Sequence, residues 1–116
     1  MNWYKKAQSD IQDRLGKCYA LSGRFVLDNE NAILMHGSVT NRIGDGRTIN
    51  HAWVEYDNKV FDAVLGREFD KQLYYALFDP KVDQTYDHER TCLEMLRYSH
   101  WGPWNEQNPP KKPPNF

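Results

Sequence analysis

The stretch HAWVEYDNKVFDAV, residues 51–64, decides the fold, because it holds two strand-like runs on either side of Asp57 and Asn58. Asn tolerates the left-handed backbone that a two-residue hairpin turn requires, so this dipeptide predicts a tight turn. Each run carries one titratable residue, His51 or Asp62, among apolar neighbours. A strand face that only packs is apolar, so each of these two residues needs a partner or a function.

The register of this hairpin makes the two residues each other's partner. A two-residue turn pairs Tyr56 with Lys59 and sets Trp53 opposite Asp62. Because side chains alternate along a strand, His51, Trp53 and Asp62 share one face. Asp62 is then a diagonal neighbour of His51, at roughly 5–8 Å between backbones. The register therefore predicts that the carboxylate accepts a hydrogen bond from one imidazole nitrogen and leaves the other free.

Cys18 is the candidate nucleophile for such an imidazole. It follows Gly16 at the predicted start of a helix, where the macrodipole and the free backbone N–H groups favour a thiolate. The same N–H groups can bind the oxyanion of a tetrahedral intermediate, and Gln12 can add a second donor through its side-chain amide. A thiolate beside a carboxylate-oriented imidazole is an arrangement for nucleophilic catalysis.

The order of Cys18, HAWVE and the Asp of KVFDAV resembles the transglutaminase-like branch of the papain-like cysteine enzymes. In that branch a helix-borne Cys is followed by His and Asp on adjacent antiparallel strands. The resemblance covers about residues 16–65 and includes LMHGSV, which is similar to the strand before the His strand. The spacing from Gln12 to Cys18 also matches the oxyanion glutamine of papain. Ala63 stands where the family pattern has Pro.

This resemblance implies a papain-like α+β fold, in which N-terminal helices pack on a small antiparallel sheet and C-terminal helices follow. It implies a cysteine hydrolase or acyltransferase acting on an amide or peptide bond of a peptide or protein, with no cofactor and no metal. Cys18 is then the nucleophile, His51 the base and Asp62 the residue that orients it, with Gln12 at the oxyanion. Trp53 is expected beside the site, as a core residue or as a substrate contact.

Apolar spacing predicts the remaining elements. An N-terminal helix is indicated by a stripe at every fourth residue, followed by a second helix through CYALSGRFVLDN, a strand over 32–40 and an exposed loop over 41–50. Residues 65–77 again have helical spacing, and Asp87 is a predicted cap for a last helix. The N-terminal stripe consists of Trp3, Ala7, Ile11 and Leu15, and the stripe over 65–77 of Leu65, Phe69, Leu73 and Leu77.

Helices, about three strands and further helices in this order predict a single α+β domain over residues 1–104. HWGPW, residues 100–104, is expected to staple the last helix to the core, or alternatively to form a wall of a substrate groove. Within that helix Cys92 is expected in the core, on a stripe shared with Met95, Leu96 and Ser99. The Pro-rich segment over 105–116 is expected to be an extended, unpacked tail.

The composition argues against several classes of function. The 16 acidic and 15 basic residues leave a net charge of -1 and form no basic block, which argues against nucleic-acid binding. No apolar run approaches the roughly 20 residues of a membrane span. The N-terminus has no signal-like apolar segment, so a cytoplasmic location is expected, with both cysteines as free thiols.

Each site residue also has a purely structural alternative. Cys18 can be an ordinary core thiol, His51 a satisfied core histidine and Asp62 a turn-flanking acid. His36 is expected to pack or hydrogen-bond, and Glu55 to be a solvated carboxylate on the His51 face.

Three other functions compete with the enzyme. Cys18, His36, His51 and Asp62 are possible metal ligands, but zinc sites usually draw two ligands from one short motif, which is absent from the sequence. A papain-like scaffold without activity would be a binding or inhibitory module. A structural or assembly protein would use the Pro-rich tail as a docking peptide.

Overall fold

The computed structural model describes residues 17–104, which form an α+β domain of three helices and a five-stranded antiparallel sheet. The α+β prediction is therefore confirmed. Gln12, the N-terminal apolar stripe and the tail over 105–116 lie outside the described residues. The elements are α1 (Cys18–Asp28), β1 (Ile33–Thr40), β2 (Thr48–Tyr56), β3 (Lys59–Asp62), β4 (Arg67–Asp70), α2 (Lys71–Phe78), β5 (Lys81–Tyr86) and α3 (His88–Tyr98). No helix of this part of the chain is long and apolar enough to cross a membrane.

The hairpin of β2 and β3 forms at the predicted turn. Asp57 and Asn58 have φ values of 49° and 60°, the left-handed pair that a type I′ turn requires. Tyr56 pairs with Lys59, as the register predicts.

The β2–β3 ladder is shorter than the predicted one, because its last pair joins Val54 to Phe61. Asp62 instead pairs with Arg67 of β4, and Gly66 N donates to Asp62 O at 2.7 Å within the turn between these strands. The predicted backbone pairing of Trp53 with Asp62 is therefore wrong.

The predicted helix over 65–77 is also wrong in its first half. Gly66 has a φ of 71°, and Phe69 is buried as a β4 residue paired with Val60. Helical structure begins only at Lys71. Apolar residues four apart lie on one side of a strand as well as of a helix, so their spacing alone did not distinguish the two.

The sheet order is β4-β3-β2-β1-β5, two strands more than expected. β5 is an edge strand with only Tyr86 buried, so it lacks the apolar alternation that identifies a strand in a sequence.

Helices cover both faces of the sheet. On the α1–α3 face, a core cluster joins Val26, Leu34, Val54 and Trp104. On the α2 face, a second cluster joins Met35, Trp53, Phe69 and Tyr74. Trp104 thus ties the HWGPW segment to the core, as expected.

Helix α3 begins at its predicted cap, since the Asp87 carboxylate accepts a hydrogen bond from Arg90 N at 2.7 Å. Its inner face, however, carries Thr91 and Glu94, while Cys92 is exposed. The expectation of Cys92 in the core is wrong. Polar residues can face inward here because Glu94 accepts a hydrogen bond from Arg90 at 2.9 Å.

Candidate active site

Asp62 is held rigidly at the end of β3. Its Oδ1 accepts backbone N–H groups from Val64 at 3.0 Å and Leu65 at 3.1 Å, the pattern by which Asp stabilises a turn after itself. Its Oδ2 accepts hydrogen bonds from His51 Nε2 at 2.9 Å and from the Tyr74 hydroxyl at 2.6 Å. Both oxygens are therefore occupied by donors, and the side chain has a single orientation.

These donors keep the buried carboxylate ionised. Burial by itself raises the pKa of Asp62, but the hydrogen bond and the charge of His51 and the hydrogen bonds from Tyr74 and Leu65 outweigh it and lower the pKa below its usual value. A buried ion is stable only with such a set of partners.

His51 lies on β2 and is buried with the carboxylate. Burial by itself lowers the pKa of His51, but hydrogen bonds to Asp62 and to Cys18, with the charges of both, raise it to about 9. The imidazole is therefore protonated at neutral pH. Because Nε2 faces Asp62, Nδ1 is the ring nitrogen that is left for the thiol.

Cys18 is the first residue of α1, after the cap residue Lys17. Leu21 N donates to Lys17 O at 2.9 Å and closes the first turn, so the N–H groups of residues 18–20 have no acceptor within the helix. Such groups attract negative charge, either a thiolate or an oxyanion.

Strand β2 brings the helix start to the imidazole. Ser22 Oγ donates to Ala52 O at 3.2 Å and fixes α1 beside the residue that follows His51. The Cys18 side chain packs against Ala52 and Val64. The structure thus brings together Cys18, His51 and Asp62, which are three of the predicted site residues.

Trp53 has the core position beside the site that was the first of its two expected roles. Its side chain is completely buried, and its ring lies nearly parallel to that of His51, with centroids 6.2 Å apart and 17° between planes. Trp53 therefore supports the imidazole from within the core, and none of its side chain is exposed to a substrate.

Glu55 is not the solvated carboxylate that was predicted. It is mostly buried rather than solvated, and it accepts hydrogen bonds from Trp53 Nε1 at 2.9 Å and the Tyr75 hydroxyl at 2.6 Å. Lys71 Nζ lies 3.1 Å from its other oxygen. This carboxylate anchors Trp53 under His51, and the shared strand face was the signal that pointed to it.

Tyr74 is the residue of the site that the sequence interpretation missed. Burial, and then the charge of Asp62 and the hydrogen bond to it, strongly raise the pKa of Tyr74, so its hydroxyl remains a donor. The local sequence carried no signal for this contact, because it depends on how α2 docks onto β3.

A cleft of about 480 Å³ opens from His51 and Asp62 toward the loop between β1 and β2. Its other lining residues are Val39, Asn41, Asp45, Arg47, Ile49, Val64, Leu65, Tyr74 and Phe78.

No protein-family model, curated protein or solved structure matches this chain. Across residues 17–104, no three His, Cys, Asp or Glu side chains are grouped so as to hold a metal ion. Of the three site residues, Asp62 is hydrogen-bonded to His51, and Cys18 lies near enough to raise the pKa of the imidazole.

Proposed function

We propose that this chain is a papain-like cysteine enzyme of the transglutaminase-like branch, a hydrolase or acyltransferase that acts on an amide or peptide bond. The observation that carries the proposal is the buried hydrogen bond between Asp62 and His51, with Cys18 at the neighbouring helix start close enough to raise the pKa of His51. A carboxylate, an imidazole and a thiol in this order form a nucleophile, its base and the group that orients the base.

In the proposed reaction the Cys18 thiolate attacks the substrate carbonyl carbon and a C–S bond forms. The N–H groups at the start of α1 bind the resulting oxyanion, with Gln12 as the candidate second donor. His51 then gives its proton to the leaving amine as the C–N bond breaks. Water or an acceptor amine attacks the thioester, His51 takes the proton of the attacking molecule, and the C–S bond breaks to restore the thiolate.

Asp62 contributes by holding the imidazole. Its hydrogen bond fixes Nε2 as the protonated nitrogen that faces the carboxylate, so that Nδ1 serves the thiol and the substrate. The negative charge also stabilises the imidazolium that forms during each proton transfer.

A second candidate function is a binding or inhibitory module on the same scaffold. The low exposure of Cys18, 8% for the whole residue, favours it, because an amide must reach the sulfur to be cleaved. In that case Cys18 is a core thiol.

The two cysteines provide the test. Cys92 is exposed and Cys18 is buried, so exposure alone predicts that iodoacetamide modifies Cys92 first. The proposal predicts the opposite order at pH 6, because a thiolate paired with an imidazolium persists where an ordinary thiol, with a pKa of about 8.5, is protonated. Mass spectrometry of digested protein after timed labelling gives both rates in one sample.

The control is His51→Ala, which should remove the advantage of Cys18 and leave the Cys92 rate unchanged. Cys18 labelling that is slower than Cys92 labelling at every pH, and rises only toward pH 8–9, would establish the non-catalytic module instead.

A further inference from the structure

The cleft beside His51 has an apolar floor. Ile49 precedes His51 by two residues on β2, so the two side chains lie on the same face of the strand. Val39 of β1 pairs with Ile49 and extends this surface, and Phe78 of α2 lines it from the opposite side. Ile49 is 51% exposed, so an apolar side chain is open to solvent two residues along the strand from His51.

Side-chain contacts hold the loop between β1 and β2, which lines one side of the cleft, in place. Arg42, in the loop between β1 and β2, lies 3.1 Å from the Asp79 carboxylate and donates to Ala76 O at 3.4 Å. These contacts tie the loop to the end of α2. The rim carries one acid and one base, Asp45 and Arg47, so neither charge sign dominates there.

The proposed reaction indicates which part of the substrate occupies this cleft. His51 donates the proton that the leaving amine needs, so the leaving group must lie against His51. Val64, which packs against Cys18, lines this cleft together with His51, so the side chain of an amine held between Cys18 and His51 extends into it.

We propose that the cleft is the leaving-group site and selects amines that carry an aliphatic or aromatic side chain. For a peptide substrate, this is the residue on the C-terminal side of the cleaved bond. The inference rests on the proposed function and adds the chemical class of the substrate to it.

The reverse step allows a test without a known substrate, because an amine that attacks the acyl-enzyme occupies the position of the leaving amine. p-Nitrophenyl acetate acylates activated thiols: the Cys18 sulfur forms a bond to the acetyl carbon and p-nitrophenolate leaves. An added amine then attacks the thioester carbon, the C–S bond breaks, and His51 takes the proton of the amine. Water yields acetate by the same route.

The experiment measures the ratio of N-acetyl amide to acetate for phenylalaninamide, leucinamide, serinamide and glycinamide, each normalised to its reaction with a small acetyl thioester. Once the amide and acetate formed with the Cys18→Ala variant are subtracted, which removes direct attack on the ester and acylation of Cys92, the ratio depends only on the steps after acylation of Cys18. We expect about a tenfold preference for phenylalaninamide and leucinamide over serinamide, from partial burial of one apolar side chain.

Two matched variants locate the effect. Ile49→Asn changes an exposed isoleucine that lines the cleft and should reduce the preference to about twofold, on the same burial argument. Ile43→Asn changes an isoleucine of the neighbouring loop that is 67% exposed and outside the cleft lining, and it should keep the preference. The absence of any acetyl-Cys18 would refute the proposed function itself. Formation of acetyl-Cys18 with equal amide ratios for all four amines, or with equal effects of the two variants, would overturn only the leaving-group assignment.

Discussion

The two faces of the sheet each bury one histidine, and the two imidazoles are in opposite states. His36 lies on the α1–α3 face, 4% exposed, with the rings of Tyr19, Tyr86 and Trp104 around it at centroid distances of 4.9, 5.0 and 5.3 Å. Within the described residues its Nε2 has no hydrogen-bond partner. His51, 7% exposed on the neighbouring strand, is bound to Asp62.

The pKa values follow the partners rather than the burial. Burial lowers the pKa of His36 to about 4, since nothing offsets the cost of a buried charge. The same cost acts on His51, but the carboxylate and the thiol raise its pKa to about 9. A buried histidine therefore indicates a functional site only together with the groups that charge it.

The largest expected effect comes from removing the charge of Asp62. Asp62→Asn should lower the rate of Cys18 alkylation at pH 6 by about 100-fold, because an amide can hold the imidazole in the wrong tautomer and burial then favours neutral His51. Timed labelling with mass spectrometry measures the rate. The matched change on the other face, His36→Phe, should leave the rate within about twofold, since His36 donates nothing to the site. Equal losses in the two variants would mean that the charge of Asp62 is not the cause of the lower rate.

The next effect is on stability. His51→Phe leaves a buried carboxylate without its charged partner and should reduce the free energy of unfolding by about 3–5 kcal/mol. His36→Phe keeps the aromatic contacts and removes an unsatisfied nitrogen, so its cost should stay below about 1 kcal/mol. Urea denaturation at pH 7 compares the two variants. A larger loss of unfolding free energy in His36→Phe than in His51→Phe would contradict a stabilising ion pair between His51 and Asp62.

The difference between wild type and His36→Phe should depend on acid pH. The folded-state pKa of His36 is depressed to about 4, so between the normal value of about 6.5 and 4 the unfolded chain binds a proton that the folded chain excludes. Wild type should therefore lose about 2 kcal/mol relative to the variant between pH 7 and pH 5. Urea denaturation at both pH values tests this. A constant difference would show that His36 is solvated.

His51 should produce the opposite dependence at alkaline pH. Its folded-state pKa is raised to about 9, so its stabilising contribution is complete below about pH 6.5 and is lost as pH rises through 9. Relative to His51→Phe, wild type should lose about 2 kcal/mol between pH 7 and pH 9. The same denaturation series extended upward provides the measurement, and an unchanged difference would contradict a protonated imidazole at neutral pH.

The smallest expected effect belongs to Tyr74. Tyr74→Phe removes one hydrogen bond to Asp62 and should cost about 1–2 kcal/mol in unfolding free energy. It should also raise the Asp62 pKa toward its usual value, so that acid destabilisation begins at a higher pH. Tyr75→Phe, which removes a similar bond to Glu55, is the matched control. It should leave the carboxyl titration of Asp62, followed by NMR, unchanged.

The sequence by itself determined the hairpin and what it carries. Asp57 and Asn58 accept left-handed backbone conformations, so the turn and its register follow from local sterics. Side-chain alternation then places His51 and Glu55 on one face, whatever lies around them. The cap at Asp87 is local in the same way, since the carboxylate reaches a backbone N–H only three residues later.

Tertiary structure decided every contact between distant segments. The docking of α1 on β2 brings Cys18 to His51, and the docking of α2 brings the Tyr74 hydroxyl to Asp62. Packing also buried Trp53 completely and left Cys92 in solvent.

The two edge strands, β4 and β5, were also decided by tertiary structure. β4 and β5 are strands because of the neighbours they pair with. The apolar spacing around β4 predicts a helix, and β5 lacks the apolar alternation that predicts a strand. Turn geometry and alternation act over a few residues, whereas the depth of a side chain and its distant partners depend on how whole elements close over one another.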